Sequence, residues 1–455
     1  MSPTSIDLTI GLLGTQVPME SQNLRWKNGH TTVLPMVCSD TNVNVCEAID
    51  IPIIKFMAEF PISLSTSKNV LHLNEEALGR ADIVDVVGSA LGSNMPVVIR
   101  GVPHDMVDGE LSAEYLDEHF AISPYRPVCI HDVMMRSIDH VHPTTSGTIK
   151  SFFESMDDPT KIQSILDLPL AQAAIPKSLR NIDHGLVHGW NQTTHSVPIV
   201  SKVHPENFTV KAWGMLHHAG FLTYPHHDAE GTLTWVRMEA GAKFWVIFRP
   251  KDRREDRSHI QNIATRLVNF TEHKAWLKQH CDAELITLLA GDMLIQPPCT
   301  MHAVYTPIAS FATGGHFYHY ACMHLTELAR YIDVEVADST TNQVLEHALE
   351  TLRRMVIAIP YLSPQISLFK RPLLSLCIMA TRARQYRAKG SSTRSVRDTE
   401  TAQPSIDISD VILEYFGSSV WVPGSHILYQ GNQFIPGDLV DREDLRRVLT
   451  KSLQL

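Results

Sequence analysis

The sequence lacks most of the features that classify a chain quickly. Seven cysteines are scattered through 455 residues, and no two stand at Cys-x-x-Cys spacing. Zinc ribbons, fingers and dithiol redox motifs use that spacing, so none is expected. An odd, scattered set reads as reduced buried thiols in an intracellular protein. No basic segment followed by an apolar core opens the chain, so no signal peptide is expected. No apolar run approaches the roughly 20 residues of a transmembrane helix. The Asn-x-Thr sequons at Asn191, Asn207 and Asn269 therefore read as chance, and the compartment as nuclear or cytoplasmic. Basic charge is in deficit: 39 Lys and Arg face 49 Asp and Glu, a net charge of −10. That argues against a surface generally suited to nucleic acid. No internal repeat is visible.

What remains is an ordinary globular composition, 44% hydrophobic and 19% charged, long enough for two or three domains. Residues 1–94 form a mixed N-terminal region. Within it, the spacing of Ala77, Leu78, Ala81, Val84 and Val87 predicts one helix capped by Asn74. Residues 95–330 hold the main domain. It opens with a buried strand over Met95–Gly101 and a capped helix over Ser112–Phe120. Thr148–Leu168 is predicted helical in two parts, broken at Pro159. From Val210 short strands take over, at Lys243–Phe248, Leu285–Leu289, Met293–Gln296 and beyond Phe311. A helical insert is expected near Thr271–Cys281. Short strands punctuated by Gly, Pro and Asp turns suggest a sandwich or barrel, and hence an α+β chain. Residues 331–388 read as a helical region, with Glu350 placed to pair with Arg354. Residues 389–405 read as a linker, and 406–455 as a small strand-and-helix appendage.

The chemistry concentrates in Thr223-Tyr-Pro-His-His-Asp228 and the run to Lys243. His226 and Asp228 stand two apart, so in extended backbone both face one side and can reach one ion. The best third ligand is His302, which follows the Gly291-Asp292 turn, a strand and the rigid corner Pro297-Pro298. Two histidines and a carboxylate form a facial triad that leaves open positions, the donor set of non-haem Fe(II) oxygen chemistry. A 2-oxo acid cosubstrate could chelate such an ion and leave one position for O₂. Its distal carboxylate would need a cation and a hydroxyl, and Lys243 and Thr223 are the right types.

These motifs resemble the Jumonji-C oxygenases, closest to the subgroup of plant-homeodomain-finger and F-box lysine demethylases. The matching residues run from Thr223, His226, Asp228, Gly231, Thr232, Trp235, Gly241 and Lys243 to Gly291, Asp292, Pro298 and His302. The tail Gly314-Gly315-His316-Phe317-Tyr318-His319 completes the match, which spans roughly residues 95–330. The resemblance implies a double-stranded β-helix (a cupin-like jelly roll) with surrounding helices. It implies Fe(II) held by His226, Asp228 and His302, and 2-oxoglutarate anchored by Thr223 and Lys243. It also implies oxidative decarboxylation to succinate and CO₂, coupled to hydroxylation of a C–H bond. On an N-methyl-lysine that hydroxylation becomes demethylation; on another protein site or a small molecule it leaves an alcohol. Two positions depart from the pattern: Val236 replaces a tyrosine and His316 an asparagine. His316 has two outcomes open, a hydrogen bond to the cosubstrate C1 carboxylate or crowding of the iron. The competing reading is a catalytically inactive Jumonji-like protein that binds metal or ligand, or associates with chromatin. A cupin with another metal is disfavoured by Lys243 together with Thr223.

The other nearby histidines, His217, His218, His227, His319 and His324, read as core or solvated side chains. Trp235 and Trp245 read as core, and Asp292 as a turn-former. Residues 351–397 contain ten Lys or Arg and no Asp or Glu. Such a run is either a solvated helix face or an electrostatic contact with chromatin or another anionic partner, the former being the commoner case.

Overall fold

The structure, a computed structural model, describes residues 22–34, 37–38, 43–44, 50–103, 111–156, 158, 161–197, 202–251, 257–336, 345–386, 400–417 and 435–453. It is mixed α+β, with one large mixed sheet among many helices. Eleven strands make the sheet: β1 Leu71–Asn74, β2 Val97–Arg100, β3 Pro127–Asp132, β4 Thr144–Thr148, β5 Gln163–Pro169 and β6 Trp213–His217, followed by β7 Leu222–His226, β8 Leu233–Pro250, β9 Cys281–Leu289, β10 Met293–Gln296 and β11 Met301–Phe317. The order is β1-β2-β10-β8-β11-β6-β5-β3-β4, with β7 added to β11 and β9 to β8. Only the β1–β2 pair is parallel among these strands.

The two longest strands organise the rest. The first part of β8 pairs with β10 and with the end of β11, and its second part pairs with β9 and with the start of β11. The register shifts between Met238 and Phe244. Gly241 sits there at φ +75°, where a Cβ would lie 2.0 Å from the Ala309 carbonyl oxygen. Only glycine lets the two strands bend past one another at that distance. Val236, Met238, Trp245, Ile247, Val304 and Ala312 share one buried cluster. These residues come from both parts of the long strands, so the two parts turn one face toward each other.

The helical elements pack outside this face. They include α1 Ile83–Gly92, α2 Pro205–Lys211, α3 Arg257–Val268, α4 Phe270–His280 and α5 Met323–Val336. The chain then adds α6 Ala348–Ala358, α7 Lys370–Thr381, α8 Ala402–Gly417 and α9 Arg442–Leu453. Leu352, Leu374, Ile412 and Leu445 of the last four helices join one core with Leu222, Phe244 and Val246 of the sheet. None of the described helices is long and apolar enough to cross a membrane.

Several expectations hold: the strand before Gly101, the Ser112-capped helix and the insert, which is two helices, α3 and α4. Others are corrected. The helix expected from Asn74 is a 3-10 turn over Glu75–Gly79 and then α1; Asn74 ends β1 and makes no side-chain cap. Thr148 caps a real helix, Ile149–Glu154, but the second predicted helix is strand β5. Ser164 and Gln163 are buried polar groups there, which hid the alternation. The loop expected over 389–405 falls largely outside the described residues, and from Ala402 it is already α8, with Ser405 fully buried. In the basic run, Arg353 and Arg354 are buried. Arg354 binds Glu350 at 2.9 Å and Thr193 at 2.8 Å, and lies over the Trp190 ring. Arg354 thus ties its helix to the Trp190–Thr193 segment, and neither arginine is placed on the surface to meet an outside partner. Arg387, Lys389, Arg394 and Arg397 lie outside the described residues. Asn207 is buried and donates to the Leu186 carbonyl at 2.9 Å, so that sequon is spent on the fold. Cys129, Cys281, Cys299, Cys322 and Cys377 are free thiols; Cys281, Cys322 and Cys377 are buried as expected, whereas Cys129 is exposed.

Candidate metal centre

His226 ends β7 and His302 is the second residue of β11, and the two residues are direct partners across that antiparallel pair. Cross-strand partners point to the same face, which brings together two histidines far apart in sequence. Their rings lie with centroids 4.2 Å apart. Asp228 follows in the short loop between β7 and a 3-10 turn over Ala229–Gly231, its Oδ1 4.0 Å from His226 Nε2. One ligand atom from each of the three residues lies within 4.8 Å of the others. His302 is buried, whereas His226 and Asp228 keep a small exposed fraction. The centre is therefore closed on the sheet side and open on one other.

Both imidazoles are oriented from behind. His226 Nδ1 donates to the Tyr224 carbonyl at 2.7 Å and His302 Nδ1 to the Thr300 carbonyl at 2.8 Å. Each bond fixes the tautomer that leaves Nε2 as the lone-pair donor. The Trp245 indole stacks on His302 at 4.9 Å and 13°, which sets the ring plane. Burial lowers the pKa of both histidines, so both are held neutral, the form that ligates metal. Burial pushes Asp228 upward, but His302, His316, His226 and the Thr234 hydroxyl together bring it well below the usual carboxylate range.

Two residues that sequence reasoning passed over complete the centre. Thr234 Oγ1 donates to Asp228 Oδ2 at 2.5 Å, and the Gln296 amide donates to the same oxygen. Asp228 Oδ1 is left for an ion. Thr234, Gln296 and His316 form one row across β10, β8 and β11. Since the Thr234 proton goes to Asp228, the threonine oxygen accepts from His316 Nδ1 at 2.9 Å. His316 thus supports Asp228 through Thr234, and its Nε2 is the nitrogen left to face other groups. Only the strand register reveals this row, and no spacing rule in the sequence carries it.

The cosubstrate candidates lie further along the same face. Thr223 pairs with Val304, which pairs with Trp245; Lys243 and Thr306 follow on that side. Lys243 is 1% exposed and donates to Thr306 Oγ1 at 3.2 Å. Among the described residues no carboxylate pairs with it, and burial alone lowers its pKa to about 7. Beside it a polar row crosses β5, β6 and β11: Ser164, His217 and Ser310. All three are buried, and among the described residues Ser164 Oγ, His217 Nδ1 and Ser310 Oγ have no hydrogen-bond partner. A buried ammonium next to unpartnered polar atoms suits a small anion. Val236 lies on this face inside the apolar cluster.

The remaining singled-out residues are structural. His227 pairs with Asp333 at 2.9 Å, His218 faces backbone carbonyls and His319 caps a 3-10 turn. His324 and Trp235 are buried. Asp292 holds its turn by accepting from the Leu289 amide at 3.0 Å and from Arg100 at 2.5 Å. Gly314 and Gly315 are needed for close approach: a Cβ would lie 2.1 Å from the Trp213 ring and 1.9 Å from the Lys211 carbonyl oxygen. A cavity of about 760 Å³ near His72, Arg80 and Arg100 shares no lining residue with the centre. Compared with known proteins, the chain matches no protein-family model and no curated protein.

Proposed function

We propose that the chain is an Fe(II)- and 2-oxoglutarate-dependent oxygenase of Jumonji-C type, with the facing parts of its sheet forming a double-stranded β-helix. His226, Asp228 and His302 would hold the iron, and Lys243 and Thr223 the distal carboxylate of 2-oxoglutarate. The observation that carries this reading is a pairing. Two neutral, back-bonded imidazoles and a low-pKa carboxylate converge, and a buried lysine that no carboxylate among the described residues pairs with lies on the same face. A site for metal alone has no need of that lysine. When bound, iron would supply activation of O₂ and, with it, oxidation of a substrate C–H bond. This chain's own residues do the positioning. Thr234 and Gln296 hold Asp228 Oδ2, so that Oδ1 is presented to the ion. The Tyr224 and Thr300 carbonyls hold the imidazoles. Burial lowers the Lys243 pKa to about 7, so near neutral pH the amine is only partly protonated, and an anion beside it would favour the charged form. His316 would meet the C1 carboxylate through Nε2.

The prime substrate is a protein or small-molecule C–H bond, and a methylated lysine is one member of that class. A second reading, ligand binding without turnover, has one observation in its favour. Val236 puts methyl groups on the inner face where the related enzymes carry a tyrosine. Anaerobic reconstitution with Fe(II) and 2-oxoglutarate, then exposure to O₂, separates the two. Succinate formation supports the oxygenase. Binding without succinate supports the second reading, and absence of 2-oxoglutarate binding removes both. A screen of methylated peptides for formaldehyde release then tests demethylation.

A further inference from the structure

Three half-buried residues elsewhere in the fold form another converging set. His204 and Glu206 flank Pro205 at the start of α2, and His347 immediately precedes α6. A ligand atom from each lies within 4.8 Å of the others. The two imidazoles lie against one another, centroids 3.6 Å apart, and Trp190 presents an edge contact to His347. His204 Nδ1 accepts the Glu206 backbone N–H at 3.3 Å, so its lone pair points to the helix start and its Nε2 keeps the proton; an ion bound at Nδ1 would replace this long bond. Glu206 Oε2 lies 3.3 Å from His347 Nε2, yet it is shielded from water and has no hydrogen-bond donor among the described residues. A carboxylate oxygen and an imidazole nitrogen that converge without a hydrogen bond form an arrangement that a cation resolves. Two imidazoles and one carboxylate exclude the hard, all-oxygen preference of Mg²⁺ and Ca²⁺ and suit Zn²⁺, with water as the fourth ligand.

We infer that His204, Glu206 and His347 form a zinc site that clips α2 to α6. The protein packing between these helices is small, with Val210 against Leu345 and Ala348. In turn, α2 is held tightly on the sheet, because the Lys211 carbonyl at its end sits against Gly315 of β11. Zinc would therefore tie the C-terminal helices to the strand that carries His302 and His316.

The probe is zinc alone, titrated against a competing chelator into demetallated full-length protein, with bound metal counted by mass spectrometry. The triad also accepts zinc, so wild type should take up about two equivalents. His347→Ala and Glu206→Gln should each take up about one, as should His226→Ala/His302→Ala. Combining His347→Ala with the triad pair should leave about none. In the triad-less protein, zinc should raise the melting temperature, and His347→Ala should remove that rise. If His347→Ala does not fold, His347→Gln keeps the volume and replaces it in the count. On wild type, diethyl pyrocarbonate footprinting should show zinc-dependent protection of His204 and His347. A second equivalent retained by the folded His347 variants, or His204 and His347 equally reactive with and without zinc, overturns the site. The inference is independent of the oxygenase reading: failure of 2-oxoglutarate binding would leave this zinc count unchanged.

Discussion

The His226 centre and the His204 cluster use nearly the same donors on different supports. In the first, two ligands are partners in adjacent strands, and each ring is held by a backbone carbonyl. In the second, the donors stand at the starts of two helices, and among the described residues neither ring donates to a backbone carbonyl; His204 Nδ1 instead accepts one long cap. The strand-built centre exists before any ion arrives, because the ladder that positions it is part of the core. The helix-end cluster brings together elements that share little apolar surface, so an ion there would contribute to the packing itself. Strand register therefore favours a site that works on a ligand. Helix ends favour a site that fastens parts of the chain.

This contrast can be tested in steps of decreasing effect. His226→Ala should lower turnover by more than ~100-fold, beyond the range seen for outer-shell partners, while zinc uptake at His347 persists. A loss of both would mean the two centres are one folding unit. Lys243→Ala should raise the Kd for 2-oxoglutarate roughly 10- to 100-fold, the worth of one charge-assisted hydrogen bond, with iron binding intact. An unchanged Kd, measured by calorimetry, would take Lys243 out of that role. Gln296→Leu should weaken Fe(II) binding by about 10-fold through the freed Asp228 oxygen, as read by chelator competition. The smallest effect is with pH. The anion requires protonated Lys243, whose pKa without an anion is about 7. Affinity should level off below that pH and fall above it, by roughly 5-fold between pH 7 and 8 and approaching ~10-fold per pH unit beyond. In Lys243→Ala this slope should vanish; a slope that survives belongs to another group.

The sequence displays the ligands more fully than their surroundings. His226, Asp228, His302 and Lys243 stand in two motifs whose order and turn residues are visible in the chain, and the structure brings the first three together. Strands such as Met293–Gln296 are framed by a Gly-Asp turn and two prolines, so their ends are legible. Thr234 and Gln296 are not legible, because their role comes from the register between β8 and β10. β5 was hidden for a related reason: it buries a polar residue on each face, Gln163 on one and Ser164 on the other, so the apolar alternation of a strand is missing there. Arg354 reads as a surface charge until Trp190 and Thr193, distant in sequence, enclose it.

Lys243 also has a consequence for folding. An ammonium shut in the interior without a carboxylate makes the folded state less favourable than an apolar side chain of similar size would. Lys243→Met should therefore melt at a higher temperature than wild type while losing 2-oxoglutarate affinity. The unfolded chain keeps an ordinary lysine, which binds more protons than the folded one from about pH 7 upward. Wild-type stability should accordingly gain on Lys243→Met as pH rises through that window. At a single nitrogen, resistance to unfolding and readiness for an anion pull in opposite directions.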